Sequence, residues 1–319
     1  MLRNLAEEVP PQRDASPLVI VTLCLNNPAE LERTLRSVAE QTASPNRVLV
    51  IDSSNGARRE QTEEISREFG ADYLWDRPRG VYAAMNLAIS KLSSDNYVLF
   101  LNSGDWFSEP RTVDIIYDEI ANHPLSHWLV GDTAAISDRG TYRENTRHRS
   151  PHPTVGGLRI KDFWFPHPST ITKVSAIKKL GGFDTSFAIA SDYHLSLKLF
   201  KQFGSPKLIP STLSCHHLDG LSARKPFSST LERSKARIRV FGIGQAFVEP
   251  FILGLRGLKA ATAKGSKSPR RRDVKPVETE QKGNRVEHYP HRESPNTWPK
   301  CCIDYLASRT TGGSEQTMY

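Results

Sequence analysis

Apolar and polar positions alternate in blocks along the first hundred residues. Leu18 to Leu25 (LVIVTLCL) is a continuous apolar run of strand length, ended by Asn26, Asn27 and Pro28. Beyond it Leu31, Leu35 and Val38 recur at spacings of four and three, the stripe of an amphipathic helix. A second run, Val48 to Ile51, ends in Asp52, Ser53, Ser54, Asn55 and Gly56, and a polar helix with Ile65 and Phe69 on one face follows. Tyr73 to Trp75 predicts a short third strand. Gly80 precedes a helix on which Val81, Ala84, Ala88 and Leu92 align. Val98 to Leu101 then breaks abruptly into Asn102, Ser103, Gly104 and Asp105.

Strands alternate with helices, and three of the strands are apolar on both faces. The pattern predicts an α/β fold with a mostly parallel central sheet flanked by helices. In such sheets ligands bind beyond the carboxyl ends of the strands. The clusters Asn26-Asn27, Asp52-Ser53-Ser54 and Asn102 to Asp105 all fall at that rim. Each is also ordinary turn chemistry, and Asp105 would serve as a cap for a helix near Pro110. A turn needs no carboxylate, so three polar clusters at one rim favour a shared ligand site.

Composition narrows the setting. The chain has 319 residues, 38% hydrophobic and 24% charged, ordinary values for a globular protein. Cys24, Cys215, Cys301 and Cys302 are too few and too scattered for a disulfide framework or a zinc motif, so a reducing compartment is expected. Residues 1–16 show no apolar core of a signal peptide and read as a flexible N-terminal tail. No uninterrupted apolar run approaches the roughly 20 residues that span a bilayer. From Arg256 onward thirteen Lys/Arg face seven Asp/Glu, so this tail holds six of the eight net positive charges. It is poor in apolar residues and has no periodicity, and 259–319 read as a basic, disordered tail. Without aromatic interleaving, no nucleic-acid partner is expected. The apolar stretch Val240 to Leu258 is broken by Glu249, Pro250 and four glycines. Within it 241–258 form either a helix packed on the domain or an interfacial segment on an anionic membrane surface.

Eight segments, in order, resemble one family. LVIVTLCLNNPAELERTLRSVAEQT is similar to the opening strand and helix of family 2 glycosyltransferases of the GT-A type, and VLVIDSSNG to their second strand. RGVYAAMNLAI resembles the GVYDAMN signature of a subgroup that makes polysaccharides and glycolipids, and YVLFLNSGDWF that subgroup's metal-site strand. VGD at 130–132, FPHPSTITK at 165–173, LGGFDTSFAIASDYHLSLKLF at 180–200 and HHLDGLSAR at 216–224 follow in the family's order. The resemblance covers roughly 17–240 and implies a single GT-A domain there. It implies inverting transfer from a nucleotide-sugar donor to a hydroxyl of a saccharide or lipid-linked acceptor. A divalent cation, Mg²⁺ or Mn²⁺, would offset the charge of the leaving diphosphate. The implied setting is cytoplasmic, peripheral on the inner face of a membrane.

Residue by residue, the resemblance assigns Asp105 to the metal, with His216 or its neighbour His217 as a second ligand. Asn102 and Gly104 stand where the motif is usually acidic, which leaves one carboxylate there. Asn26, Asn27, Asp52, Gly80 and Asn102 fall on the donor side, where a helix N-terminus after Gly80 favours phosphate. Ala83 replaces the signature's aspartate; Arg77 and Arg79 are either phosphate-facing or solvated surface charges. Asp192 matches the family's base. Leu195 and Leu199 put it in a first helical turn on the inward face, although an acid there also suits the helix dipole. His194 replaces a second acid and is expected at an exposed or acceptor-side position; Asp132 and His167 match motif positions near the acceptor. The alternative reading is a non-catalytic nucleotide-sugar or carbohydrate-binding module, supported by Asn102, Gly104 and Ala83. Retention of Asp52, Asp105 and Asp192 together speaks against it.

Overall fold

The computed structural model describes residues 17–136, 142–145, 155–160, 165–217, 226–250, 277–279 and 286–288. The segment 1–16 and most of 251–319 lie outside them. Within the basic tail the described residues are β10 (Val277–Thr279) and β11 (Val286–His288), which pair antiparallel.

The first half folds as its pattern predicts. β1 (Leu18–Cys24), β2 (Arg47–Asp52), β3 (Asp72–Trp75) and β4 (Tyr97–Phe100) run parallel in the order β3-β2-β1-β4. The crossovers between them contain α1 (Pro28–Ala39), α2 (Ala57–Glu68) and α3 (Val81–Ser90). β1 is apolar on both faces because both faces are covered. Leu18 and Ile20 enter one core with Leu99, Leu101 and Ile116; Val19 and Val21 enter the other with Ile51, Met85 and Phe183. Each such side chain contributes about 1.5–3 kcal/mol on burial. The buried stripe of α3 is wider than its spacing indicates: Tyr82, Met85 and Ile89 are buried beside Ala88, with Val81 and Ala84 only partly covered.

The second half makes the sheet mixed rather than mostly parallel. β5 (Trp106–Phe107), α4 (Thr112–Asn122), β6 (Trp128–Ile136), β7 (Tyr142–Asn145) and α5 (Val155–Ile160) are followed by a 3₁₀ turn, His167–Ser169. Next come β8 (Thr170–Lys173), α6 (Val174–Lys179), α7 (Ser191–Phe203), β9 (Lys207–His217) and α8 (Pro226–Phe241). β8 lies antiparallel between β4 and β6, and β9 pairs parallel with β6 and antiparallel with β5. Parallel neighbours need a crossover that returns the chain to the same end of the sheet. β8 is entered from the 3₁₀ turn and leaves directly into α6, so it runs the opposite way.

α8 and a helical stretch over 244–250 brace α7. Arg237 is fully buried and meets Glu249 in a two-pronged ion pair, Nε to Oε1 at 2.6 Å and Nη2 to Oε2 at 2.7 Å. Gln245 donates to Glu249 Oε1 at 2.8 Å, and Arg237 donates to the Tyr193 hydroxyl at 3.2 Å. These bonds supply what a buried ion pair needs to offset its desolvation.

Candidate active site

The break after β4 is a consequence of topology. β4 lies in mid-sheet, whereas β5 pairs with β9 at the far edge, so the chain must leave the sheet between them. The departing loop stays fastened to β1 through Leu101 N–H to Val21 O (3.0 Å) and Ser103 N–H to Leu23 O (3.1 Å). Thr34, buried on α1, completes the anchorage. Its hydroxyl accepts from Gly104 N–H at 3.0 Å and donates to the Asp105 carbonyl at 2.8 Å. Gly104 has φ +96°, a conformation other residues rarely adopt.

Asp105 is thus carried to the rim beside α1. Burial pushes its carboxyl up to about 8; a backbone hydrogen bond from Asn102 opposes the rise and the charge of Glu30 adds to it. Glu30, in the first turn of α1, pairs through Oε1 with Arg33 at 3.2 Å. Its Oε2 and the Oδ1 of Asn102 are buried without a hydrogen-bond partner. Arg33 continues to His217 Nε2 at 2.6 Å, and the His217 ring packs on Trp106 with centroids 5.4 Å apart. The Nδ1 of the adjacent His216 lies 3.3 Å from the Thr133 hydroxyl, and burial, then His217, lowers its imidazole to about 4.

Along the same rim, Asn26, Asp52 and Ser54 form one turn cluster. Asn26 adopts φ +55°; its N–H donates to Ser54 Oγ at 2.7 Å and its Oδ1 accepts from Asn55 N–H at 3.1 Å. Asp52 is fully buried, accepting from Ser54 N–H at 2.9 Å and from the Tyr73 hydroxyl at 2.8 Å. Asn27 is exposed at the N-cap of α1. Gly80 caps α3 with φ +94° and open space in front of it. Arg79 is turned to Asp76 at 2.6 Å.

Asp192 lies in the first turn of α7 and lines a small pocket with Phe100, Phe165, His167, Thr170 and Ser196. The Tyr82 hydroxyl donates to Asp192 Oδ1 at 3.2 Å and also contacts the Ile189 carbonyl. Burial and the charge of Asp192 hold that phenol protonated well above its usual range. The His167 ring stacks on Phe100 at 5.4 Å, and its Nε2 is buried with no partner. Burial lowers this imidazole, against the pull of Asp192's charge. The pocket therefore abuts the end of β4, whose following loop carries Asp105. Asp132 is fully buried, with its carbonyl accepting from Ser169 Oγ at 2.7 Å. His194 is not exposed: it is 7% accessible and packs on Phe187 at 5.1 Å, because α7 turns that face toward the preceding loop.

Several residues organise the site through contacts that sequence reading did not assign to them. Glu232 on α8 accepts from three successive N–H groups, Ala188 at 3.0 Å, Ile189 at 2.8 Å and Ala190 at 2.9 Å, immediately before α7. Asn86 clamps Phe183 by two bonds of 2.8 Å, to its carbonyl and from its N–H. A Cβ on Gly182 would stand 2.6 Å from Asn86 Oδ1, which explains the glycine. The Tyr and Asn of the GVYAAMN segment thus tie α3 to the segment that leads into Asp192. Thr34 leaves one trace in the sequence, a polar residue inside the apolar stripe of α1.

The arrangement, a nucleotide-fold half followed by a mixed half with carboxylates at the rim, matches known proteins. The model for the family described as Glycosyl transferase family 2 matches residues 19–190. Proteins named as uncharacterized glycosyltransferases from two strains of Mycobacterium tuberculosis are 30% identical over 189 residues, 58% of this chain and 69% of theirs. Among solved structures, Staphylococcus aureus TarS in complex with UDP superposes with a TM-score of 0.52 at 15% identity, covering 70% of this chain and 64% of that one. The mannosyltransferase PcManGT from Pyrobaculum calidifontis, in complex with GDP-Man and Mn²⁺, gives 0.50 at 14%, covering 79% and 76%. At such identities the structures establish the shared fold alone. The family match spans more than half of the chain and the relatives agree with it, so the chain belongs to glycosyl transferase family 2 and is a glycosyltransferase of the GT-A fold.

Proposed function

We propose that the protein transfers a sugar from a nucleotide-sugar donor to a hydroxyl of a saccharide or lipid-linked acceptor, with inversion, in polysaccharide or glycolipid synthesis. The observation that carries this reading is the setting of Asp192. Its carboxylate accepts from Tyr82 and lines a pocket at the end of β4 that His167 also lines. An acceptor hydroxyl is a poor nucleophile near neutral pH, and Asp192 would take its proton. On the donor side, Asn26, Asn27, Asn102 and the open N-terminus of α3 at Gly80 would contact nucleotide and diphosphate. Asp52, being fully buried, would act by holding the Ser53–Asn55 turn and the Tyr73 ring against the nucleotide.

A divalent cation, Mg²⁺ or Mn²⁺, fits the rim at Asp105, where buried carboxylate and amide oxygens of Glu30 and Asn102 have no partner. Asp105 would hold it, with His216 the candidate second ligand. Among the described residues no group of three or more His, Cys, Asp or Glu is gathered to hold an ion, so diphosphate and water would complete its shell. Such an ion supplies positive charge against the leaving diphosphate.

Among the described residues no helix is long and apolar enough to cross a membrane. Peripheral attachment to an anionic surface is the reading that suits Ile243 and Phe247, 78% and 82% exposed, next to the basic tail. Asp192→Asn tests the central assignment. It keeps the shape and removes the proton acceptor, so nucleoside-diphosphate release should fall about 10²–10⁴-fold with donor binding little changed. Near-normal turnover in the folded variant removes Asp192 as base, and a wild type that binds donor without any turnover favours the binding-module alternative.

A further inference from the structure

The acidic positions of the family's metal motif are Asn102 and Gly104 here, so one motif carboxylate remains, Asp105. The space beside that motif is not empty of charge. A Cβ built on Gly104 would stand 2.9 Å from Glu30 Oε2, so the carboxylate of Glu30 occupies the volume that a side chain at 104 would take. It arrives there from another element. The Gly104 N–H bonds the Glu30 carbonyl at 3.3 Å, and Thr34, one turn further along α1, bonds the backbone of both Gly104 and Asp105. The first turn of α1 and the metal-site loop are therefore one fastened unit. Within it, Oε1 of Glu30 is committed to Arg33, whereas Oε2 is buried and unpartnered, as is Oδ1 of Asn102. A buried carboxylate oxygen without a donor is costly unless something positive meets it.

We propose that Glu30 supplies, from α1, the second carboxylate of the cation site, replacing in space the acidic residue that the loop has lost at Gly104. The inference rests on reading Asp105 as the metal residue. Glu30 Oε2 and Asp105 would then both hold the cation, with Asn102 Oδ1 as a neutral oxygen ligand, a donor set of hard oxygens suited to Mg²⁺ or Mn²⁺. Arg33 fixes the rotamer of Glu30 by taking its other oxygen. The absence of a side chain at 104 becomes a requirement of the arrangement, since any larger residue there would displace the Glu30 carboxylate.

Mn²⁺ binding by full-length protein, followed by electron paramagnetic resonance with and without UDP, tests this. Wild type, Glu30→Gln and Asp105→Asn are compared, together with their melting temperatures in EDTA. The expected result is saturable binding by wild type, loss in Asp105→Asn, and at least about tenfold weakening in Glu30→Gln, a 1.4 kcal/mol effect. In EDTA the Glu30→Gln protein should melt no lower than wild type, because the amide keeps an oxygen for Arg33 and removes the charge that repels Asp105. Weakening by less than tenfold in Glu30→Gln, with Asp105→Asn still defective, overturns the role of Glu30 and leaves the metal reading intact. A lower melting temperature of Glu30→Gln in EDTA assigns its effect to structure and equally overturns the proposal. No Mn²⁺ binding by wild type, or binding unaffected in both variants, overturns the metal reading and this inference together.

Discussion

Glu232 offers a measurable test of how the second half of the fold serves Asp192. Its carboxylate accepts from the N–H groups of Ala188, Ile189 and Ala190, and Ala190 is the N-cap of α7. Ile189 and Ala190 are buried, whereas Ala188 is exposed and water would replace its partner. A hydrogen bond to a charged group is worth about 1.5–3 kcal/mol, so Glu232→Ala, which orphans two buried donors, should cost about 3–6 kcal/mol. Ile189 and Ala190 both donate to Oε2, so Glu232→Gln with its oxygen at that position keeps both buried bonds and should cost less than half as much. The same loop delivers Asp192, and a misplacement of about 1 Å can cost up to about 10²-fold in rate. Urea unfolding followed by circular dichroism gives the stability term, and steady-state kinetics the catalytic one. In both variants that remain folded, kcat should fall while donor KM stays within about threefold, the signature of a contact that acts on the reacting geometry. A Glu232→Ala protein within about 1 kcal/mol of wild type, inside the range of ordinary surface substitutions, would refute the reasoning. So would an unchanged kcat with raised donor KM.

His194 predicts a pH dependence of stability. Its imidazole is lowered to about 4 by burial, then by Lys198 and Arg239 against the opposing charge of Asp184. Unfolded, it would titrate near 6.5, so above that pH both states are neutral and it contributes nothing to the slope. Between 6.5 and 4 the unfolded state alone gains the proton, and stability falls by about 1.4 kcal/mol per pH unit. His194→Phe should therefore lessen the loss between pH 6.5 and 5 by about 2 kcal/mol in urea titrations, and an unchanged loss would reject this account. For the membrane reading, Phe247→Asp should leave stability unchanged, the side chain being 82% exposed, and should reduce sedimentation with phosphatidylglycerol vesicles. Binding that is equal in the variant, or indifferent to added salt, would exclude attachment by this face and charge.

Much of the fold was legible because its first hundred residues are built from local signals. Apolar runs on both faces of β1, β2 and β4, and the stripe of α1, follow directly from which side chains must leave water. The polar clusters at the strand ends were legible for the same reason: small polar residues after a buried run mark the rim. The family resemblance added Asp192, Asp105 and the order of the motifs. By contrast, the direction of β8 was not written in its own apolar content, because a strand reads the same whichever way it runs. That direction depends on how the chain is routed from β6 through the 3₁₀ turn, a property of the whole sheet.

The sequence alone therefore determined that this chain is an α/β protein with carboxylates at the rim of its sheet. Only the tertiary structure decided which groups surround them. Glu30 lies 75 residues before Asp105 and Glu232 lies 40 after Asp192, and nothing in local composition links either pair. Thr34, Tyr82 and Asn86 read as helix residues until packing sets each against a backbone from another element. The physical reason is one of range. Hydrophobic periodicity reports the interaction of a segment with solvent and needs only its neighbours, whereas a hydrogen bond or ion pair is satisfied only at contact distance. Contact between distant segments exists only once the chain has folded.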